Sequence, residues 1–117
     1  MSDKVIIYHN PKCSKSRQTL EILHKEGIKP SIVYYLETAP DAATLDQLLT
    51  LLGMQPRDLM RKGEEVYMEL NLYDPTLTRE QLIQAMVEHP HLIERPIVVT
   101  NGKAVIGRPP QKVLDIL

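Results

Sequence analysis

Cys13 is the single cysteine of this 117-residue sequence, and its neighbours suit thiol chemistry. Taken alone, a lone cysteine reads as an inert buried hydrophobe. Here it follows the apolar run Val5 to Tyr8 and the turn-like stretch His9-Asn10-Pro11-Lys12, and a helix should begin at about Ser14. That puts the thiol at a helix N-terminus, where unpaired backbone N–H groups and the macrodipole favour a thiolate. Lys12, Lys15 and Arg17 add positive charge. His9 lies upstream, either as a turn-satisfied histidine or as a thiolate partner. Cys13-Ser14-Lys15-Ser16 is a C-x-x-S variant of the redox C-x-x-C motif. Serine at the second position cannot close a disulfide, so a single-thiol mechanism is left. One cysteine also excludes an internal disulfide and a multi-cysteine metal cluster. Any redox electrons must come from a thiol on another molecule.

Two Arg-Pro pairs are the second feature, Arg95-Pro96 before one predicted strand and Arg108-Pro109 after the next. An X-Pro bond at a strand start can be cis. A hairpin can set its two outer ends side by side, so Arg95 and Arg108 can face one point. Arg61, within Arg61-Lys62-Gly63, reads by itself as a surface residue. Glu64-Glu65, Glu69, Asp41 and Asp46 read as solvated helix faces, and His24 as an exposed helix position. His89 and His91 bracket Pro90, a spacing without zinc logic. Gly102 to Gly107 lacks a phosphate-loop pattern.

The elements that must position these residues follow from periodicity. Residues 4–8 read as a buried strand, and the helix from Ser14 carries Leu20, Ile22 and Leu23 to a stop at Gly27, with Ile28 behind it. Ser31 to Leu36 reads as a second strand, completing a βαβ unit. Thr44-Leu45-Asp46-Gln47 resembles a capping box for a helix through Leu52, stopped by Gly53. Thr78-Arg79-Glu80-Gln81 opens another, with Leu82, Ile83, Met86 and Val87 inward, ending before Pro90. Residues 56–72 read as short helical turns. Pro96–Thr100 and Lys103–Ile106 flank Asn101-Gly102, a strong hairpin signal, and 110–117 should form a final short helix. The expected fold is α/β: a single domain over 1–117, with a helical insertion at about 40–92 between the βαβ unit and a C-terminal β-hairpin plus helix.

Composition agrees with an ordinary globular chain: 43% hydrophobic, 25% charged and no Phe or Trp, so the core must be aliphatic. The net charge of −1 hides an asymmetry. Residues 37–88 hold ten acids against four Lys/Arg, and the remainder ten Lys/Arg against five acids. This is far from the dense basic stripe of a nucleic-acid binder. It suits a small anion held where the two basic ends meet. No apolar run reaches membrane-spanning length, and the opening Met1-Ser2-Asp3-Lys4 leads into too short an apolar run for an export signal. Together with the cysteine count, this points to the cytoplasm.

Several segments together resemble the glutaredoxin-coupled arsenate reductase family. They are His9-Asn10-Pro11-x-Cys13, Tyr35-Leu36-Glu37-Thr38, Leu59-Met60-Arg61-Lys62, Arg95-Pro96-Ile97-Val98-Val99, and Arg108-Pro109 with Val113-Leu114-Asp115-Ile116-Leu117. The resemblance runs in register along essentially the whole chain. It implies a thioredoxin/glutaredoxin-like four-stranded mixed sheet with a helical insertion. It implies Cys13 as nucleophile, Arg61, Arg95 and Arg108 as oxyanion-binding residues, and His9 and Ser16 as support for the thiolate. It further implies arsenate as substrate, glutathione as electron-donating cosubstrate, glutaredoxin as partner, and no bound metal or prosthetic group. Longer members run on past the last helix, whereas this sequence stops at Leu117.

Two other classes share these features. A regulator of the same fold that docks on RNA polymerase would use C-x-x-C as its switch, and Ser16 argues against that. A general glutathione-accepting thiol adaptor would need Cys13 without all three arginines.

Overall fold

A computed structural model describes residues 4–117. The residues Met1-Ser2-Asp3, on which the export-signal reading partly rested, lie outside the described residues. The chain divides into two units, one running through Thr38 and resuming at Arg95–Leu117, the other spanning Ala39–Glu94.

The first unit is a four-stranded mixed sheet in the order β2-β1-β3-β4. Its strands are β1 (Ile6–Tyr8), β2 (Ser31–Val33), β3 (Ile97–Thr100) and β4 (Lys103–Ile106). β1 pairs parallel with β2, Ile7 opposite Ile32, and antiparallel with β3, Ile7 opposite Val98. Ile7 and Val98 are fully buried, as the centre of a sheet packed on apolar neighbours requires. With α1 (Ser14–Lys25) crossing between β1 and β2, this is the thioredoxin-like arrangement that the resemblance implied. The core joins Ile7, Leu23, Val98, Val113 and Ile116, flanked by Leu20, Ile22, Ile32 and Val105.

Local chemistry sets the ends of these elements. Gly27, at φ 77°, lets Gly27 N–H reach His24 O and Ile28 N–H reach Leu23 O, closing α1. Asn101 and Gly102, at φ 56° and 68°, make the primed turn that joins β3 to β4. β1 begins at Ile6 rather than residue 4, and β2 ends at Val33 rather than Leu36. Beyond Val33 the N–H groups of Glu37 and Thr38 both turn back to Tyr34 O, which ends the ladder. The final segment, Pro110–Ile116, winds as a tighter 3₁₀ helix rather than an α-helix.

The second unit is helical, with α2 (Ala42–Leu52), α3 (Pro56–Leu59), α4 (Glu65–Glu69), α5 (Arg79–Glu88) and a 3₁₀ turn at Pro90–Leu92. Leu45, Leu48, Leu49, Leu59, Leu82, Ile83, Met86 and Leu92 are buried. Val87, expected inward, is only half-buried, and Ala85 faces the core instead. The capping box at Thr78 forms as read: Gln81 N–H donates to Thr78 Oγ1 at 3.1 Å, and Thr78 N–H donates to Gln81 Oε1 at 2.8 Å. The one proposed at Thr44 does not form. α2 starts earlier, because Asp41 Oδ1 accepts from Thr44 N–H at 2.8 Å and takes the N-cap. Among the described residues, no helix is long and apolar enough to cross a membrane.

Candidate active site

Cys13 is the N-cap residue of α1, in extended backbone conformation. The turn before it is built from short-range bonds: Lys12 N–H to Asn10 Oδ1 at 3.0 Å, and Cys13 N–H to Asn10 O at 3.0 Å. Arg17 then donates through its side chain to Pro11 O at 2.8 Å and through its backbone to Cys13 O at 3.0 Å. An asparagine and an arginine thus hold the loop at both ends.

Cys13 is 9% exposed as a residue, so its side chain is largely desolvated. Burial pushes the thiol pKa up. The backbone N–H of Ser16, the charge of Arg95, the N–H of Lys15 and a hydrogen bond from Arg95 act the other way. The balance falls below the ordinary thiol value, so the anion is favoured.

His9 and Ser16 form a buried pair, with His9 Nδ1 and Ser16 Oγ 2.5 Å apart. Ser16 Oγ also accepts from Asn10 N–H at 3.1 Å. His9 N–H donates to Val33 O at 2.8 Å, tying the loop to the sheet. Its ring meets Tyr34 edge-on, centroids 6.0 Å apart. Burial, and then the charge of Arg17, lower the His9 pKa, so the ring is neutral near pH 7. His9 is satisfied by its hydrogen bond to Ser16 Oγ. The Ser16 N–H in turn favours the thiolate.

Arg95-Pro96 and Arg108-Pro109 are both cis. Arg108 Nη1 donates to Arg95 O at 3.2 Å, so the outer ends of the hairpin do meet. Arg95 is half-buried and Arg108 exposed. The approach depends on Gly107, whose N–H donates to Pro96 O at 3.0 Å. A Cβ at that position would run into Thr19 Oγ1 and Pro96 Cγ. Sequence reasoning missed this glycine, since nothing local distinguishes it from a loop residue.

The first unit therefore gathers Cys13, His9, Ser16, Arg95 and Arg108. Arg61 belongs to the second unit, where its Nη1 donates to Glu64 Oε1 at 2.9 Å and its Nε stands 3.7 Å from Glu94 Oε1. Glu64 is thus an ion-pair partner rather than a solvated face, and its place three residues after Arg61 was the available signal. Among the described residues, no group of three or more His, Cys, Asp or Glu is arranged to hold a metal ion. His89 and His91 stack edge-on, 5.9 Å apart.

A family model described as the ArsC family matches residues 8–116. Arsenate reductase of Haemophilus influenzae is 48% identical over 114 residues, covering 97% of this chain and 98% of the relative. A protein of Escherichia coli K12 named uncharacterized protein YfgD is 60% identical over 118 residues, covering 100% of this chain and 99% of its own length. Among solved structures, arsenate reductase from Vibrio cholerae superposes with a TM-score of 0.96 at 54% identity, over 100% of both chains.

Proposed function

The chain belongs to the ArsC family, and from that membership we propose that it reduces arsenate to arsenite through one nucleophilic cysteine, Cys13. The observation that carries this reading is the setting of the Cys13 sulfur, where two helix amides and Arg95 favour the thiolate against the cost of burial. A thiol of ordinary pKa, about 8.5, is only a few per cent ionised at pH 7, so this bias raises the reactive fraction.

In the proposed sequence the Cys13 thiolate attacks As(V) and one arsenate oxygen leaves as water, forming a thioarsenate. Glutathione then attacks the arsenic, arsenite departs, and glutaredoxin resolves the glutathionylated or mixed-disulfide species. Overall, two thiols become a disulfide and supply the electron pair that takes As(V) to As(III). Since Cys13 is the sole cysteine, the other thiols are external.

Arg95, Arg108 and Arg61 take the role of oxyanion ligands. Guanidinium forks donate paired, charge-assisted hydrogen bonds to tetrahedral oxyanions and stabilise the charge that builds in the transition state. The bond from Arg108 to the Arg95 carbonyl supports the pairing of two of them, and the family resemblance supports the third. His9 and Ser16 act as positioning residues, holding the loop so that the Ser16 N–H stays on the sulfur. Donors of this kind belong to a reducing compartment, so we assign the protein to the cytoplasm.

The test is glutathione- and glutaredoxin-dependent arsenate reduction by wild type, Cys13→Ser and Arg95→Ala. Wild type is expected to turn over, Cys13→Ser to fall to background, and Arg95→Ala to lose most activity. Wild type at background overturns the reductase reading. Full activity in Arg95→Ala favours a general thiol adaptor.

A further inference from the structure

The second unit contains an open cavity of about 700 Å³ walled by Arg57, Met60, Arg61, Lys62, Glu64 and Glu94 among others. Arg61 is already engaged there. Its Nη1–H donates to Glu64 Oε1 at 2.9 Å, while Glu94 Oε1 stands 3.7 Å from Nε, an ion pair beyond hydrogen-bond length. The backbone sets both carboxylates in place. Arg61 N–H donates to Leu92 O at 2.7 Å, Glu94 N–H to Leu59 O at 2.8 Å, and Glu64 N–H to Arg61 O at 3.1 Å. Met60 and Ile93 bridge antiparallel, which brings the chain before Glu94 alongside that before Arg61.

A guanidinium binds carboxylates and tetrahedral oxyanions with the same planar set of N–H donors. A carboxylate held on those donors is therefore a competitor for any anion that needs them. We propose that Glu64, assisted by Glu94, competes with the substrate oxyanion for the Arg61 guanidinium, so that this contact to the anion forms at the expense of an ion pair. The inference rests on the reading of Arg61 as an oxyanion ligand. Both side chains of the closer pair are about one-third exposed, 33% and 32%, so water screens the contact. The expected effect is accordingly about two- to fivefold in affinity, as such pairs carry.

Arsenate binding to the intact Cys13→Ser protein, measured by titration calorimetry at fixed ionic strength, tests this. Glu64→Gln keeps the shape of the side chain and removes its charge. It is expected to tighten arsenate about two- to fivefold, and Glu94→Gln to tighten it less, because its contact is longer. Glu65→Gln removes the same charge from an exposed neighbour outside the Arg61 pairs and is expected to change little. In an Arg61→Ala background the gain from Glu64→Gln should vanish. With Cys13 restored, Glu64→Gln should lower the KM for arsenate and leave kcat unchanged. No tightening, or equal tightening with Arg61 absent, overturns the competition. Arsenate binding indifferent to Arg61→Ala removes the role of Arg61 and the competition together, leaving Cys13 chemistry standing. Failure of the wild type to bind or reduce arsenate removes all three.

Discussion

At the Cys13 sulfur, burial opposes ionisation, and two amides with Arg95 reverse the outcome. The direction has a testable consequence. A thiol with a depressed pKa is anionic over a range where an ordinary thiol is still protonated. Its alkylation rate should therefore rise with pH to a midpoint below that of an ordinary thiol. Arg95→Ala removes a cause that lowers the pKa, so its midpoint should move up. The variant should react more slowly than wild type at pH 7, where a smaller fraction of its thiol is ionised. A midpoint unmoved by the substitution would remove Arg95 from the thiolate's support. Much at this scale was legible in the chain. Cys13, Ser16 and the positive charge before and after them stand within one short segment. The Ser16 partnership of His9 was not, because the choice between bonding a hydroxyl and bonding the sulfur depends on how the loop folds. Glu64 was misread for a related reason: a carboxylate near a helix start looks solvated until its distance to Arg61 is known.

Elements carry the site through their ends. The N-terminus of α1 supplies amides to the sulfur, and the two ends of the β3–β4 hairpin carry Arg95 and Arg108. Gly107 joins β4 to Arg108 and lies against Thr19 of α1 and Pro96 of the opposite hairpin end. Gly107→Ala is therefore expected to destabilise the fold by about 1–3 kcal/mol, the usual range for overpacking. It should also weaken arsenate turnover by displacing Arg95 and Arg108. Chemical denaturation and steady-state kinetics on the same preparation check both, and an unchanged midpoint would show that Thr19 yields without cost. Strong local signals predicted elements well: Gly27, Asn101-Gly102 and the Thr78 capping box each act where their chemistry says. Competing signals did not resolve locally. Asp41 and Thr44 are both good caps, and Asp41 takes the position in the fold. The 3₁₀ winding of Pro110–Ile116 is a matter of hydrogen-bond register over a few residues, which composition does not decide.

Across the whole molecule, formal charge follows the division of the chain. The residues of the sheet unit sum to +5 and those of the helical unit to −6. The sheet unit thus offers a positive setting for an anion, while the helical unit keeps Arg61 on carboxylates. The single thiol also limits how the molecule can oxidise. Treated with glutathione disulfide, the native protein should gain one glutathione, at Cys13, and Cys13→Ser should gain none, as intact-mass spectrometry will show. A native chain that stays unmodified near neutral pH, while the unfolded chain reacts, would mean that burial outweighs activation.

What the sequence by itself determined was chemical inventory and local form. One cysteine means no internal disulfide, C-x-x-S means no resolving partner, and the βαβ and hairpin patterns mean an α/β sheet with a helical insertion between them. Those conclusions need only residue identity and short-range periodicity. Tertiary structure alone decided which groups meet. The amides of Lys15 and Ser16 and the side chain of Arg95, eighty-two residues further on than Cys13, bias one sulfur. Gly107 is required by atoms of Thr19 and Pro96, and Arg61 is engaged by Glu64 and Glu94. Electrostatic and steric effects act over a few ångströms of space, and separation along the chain does not report that distance.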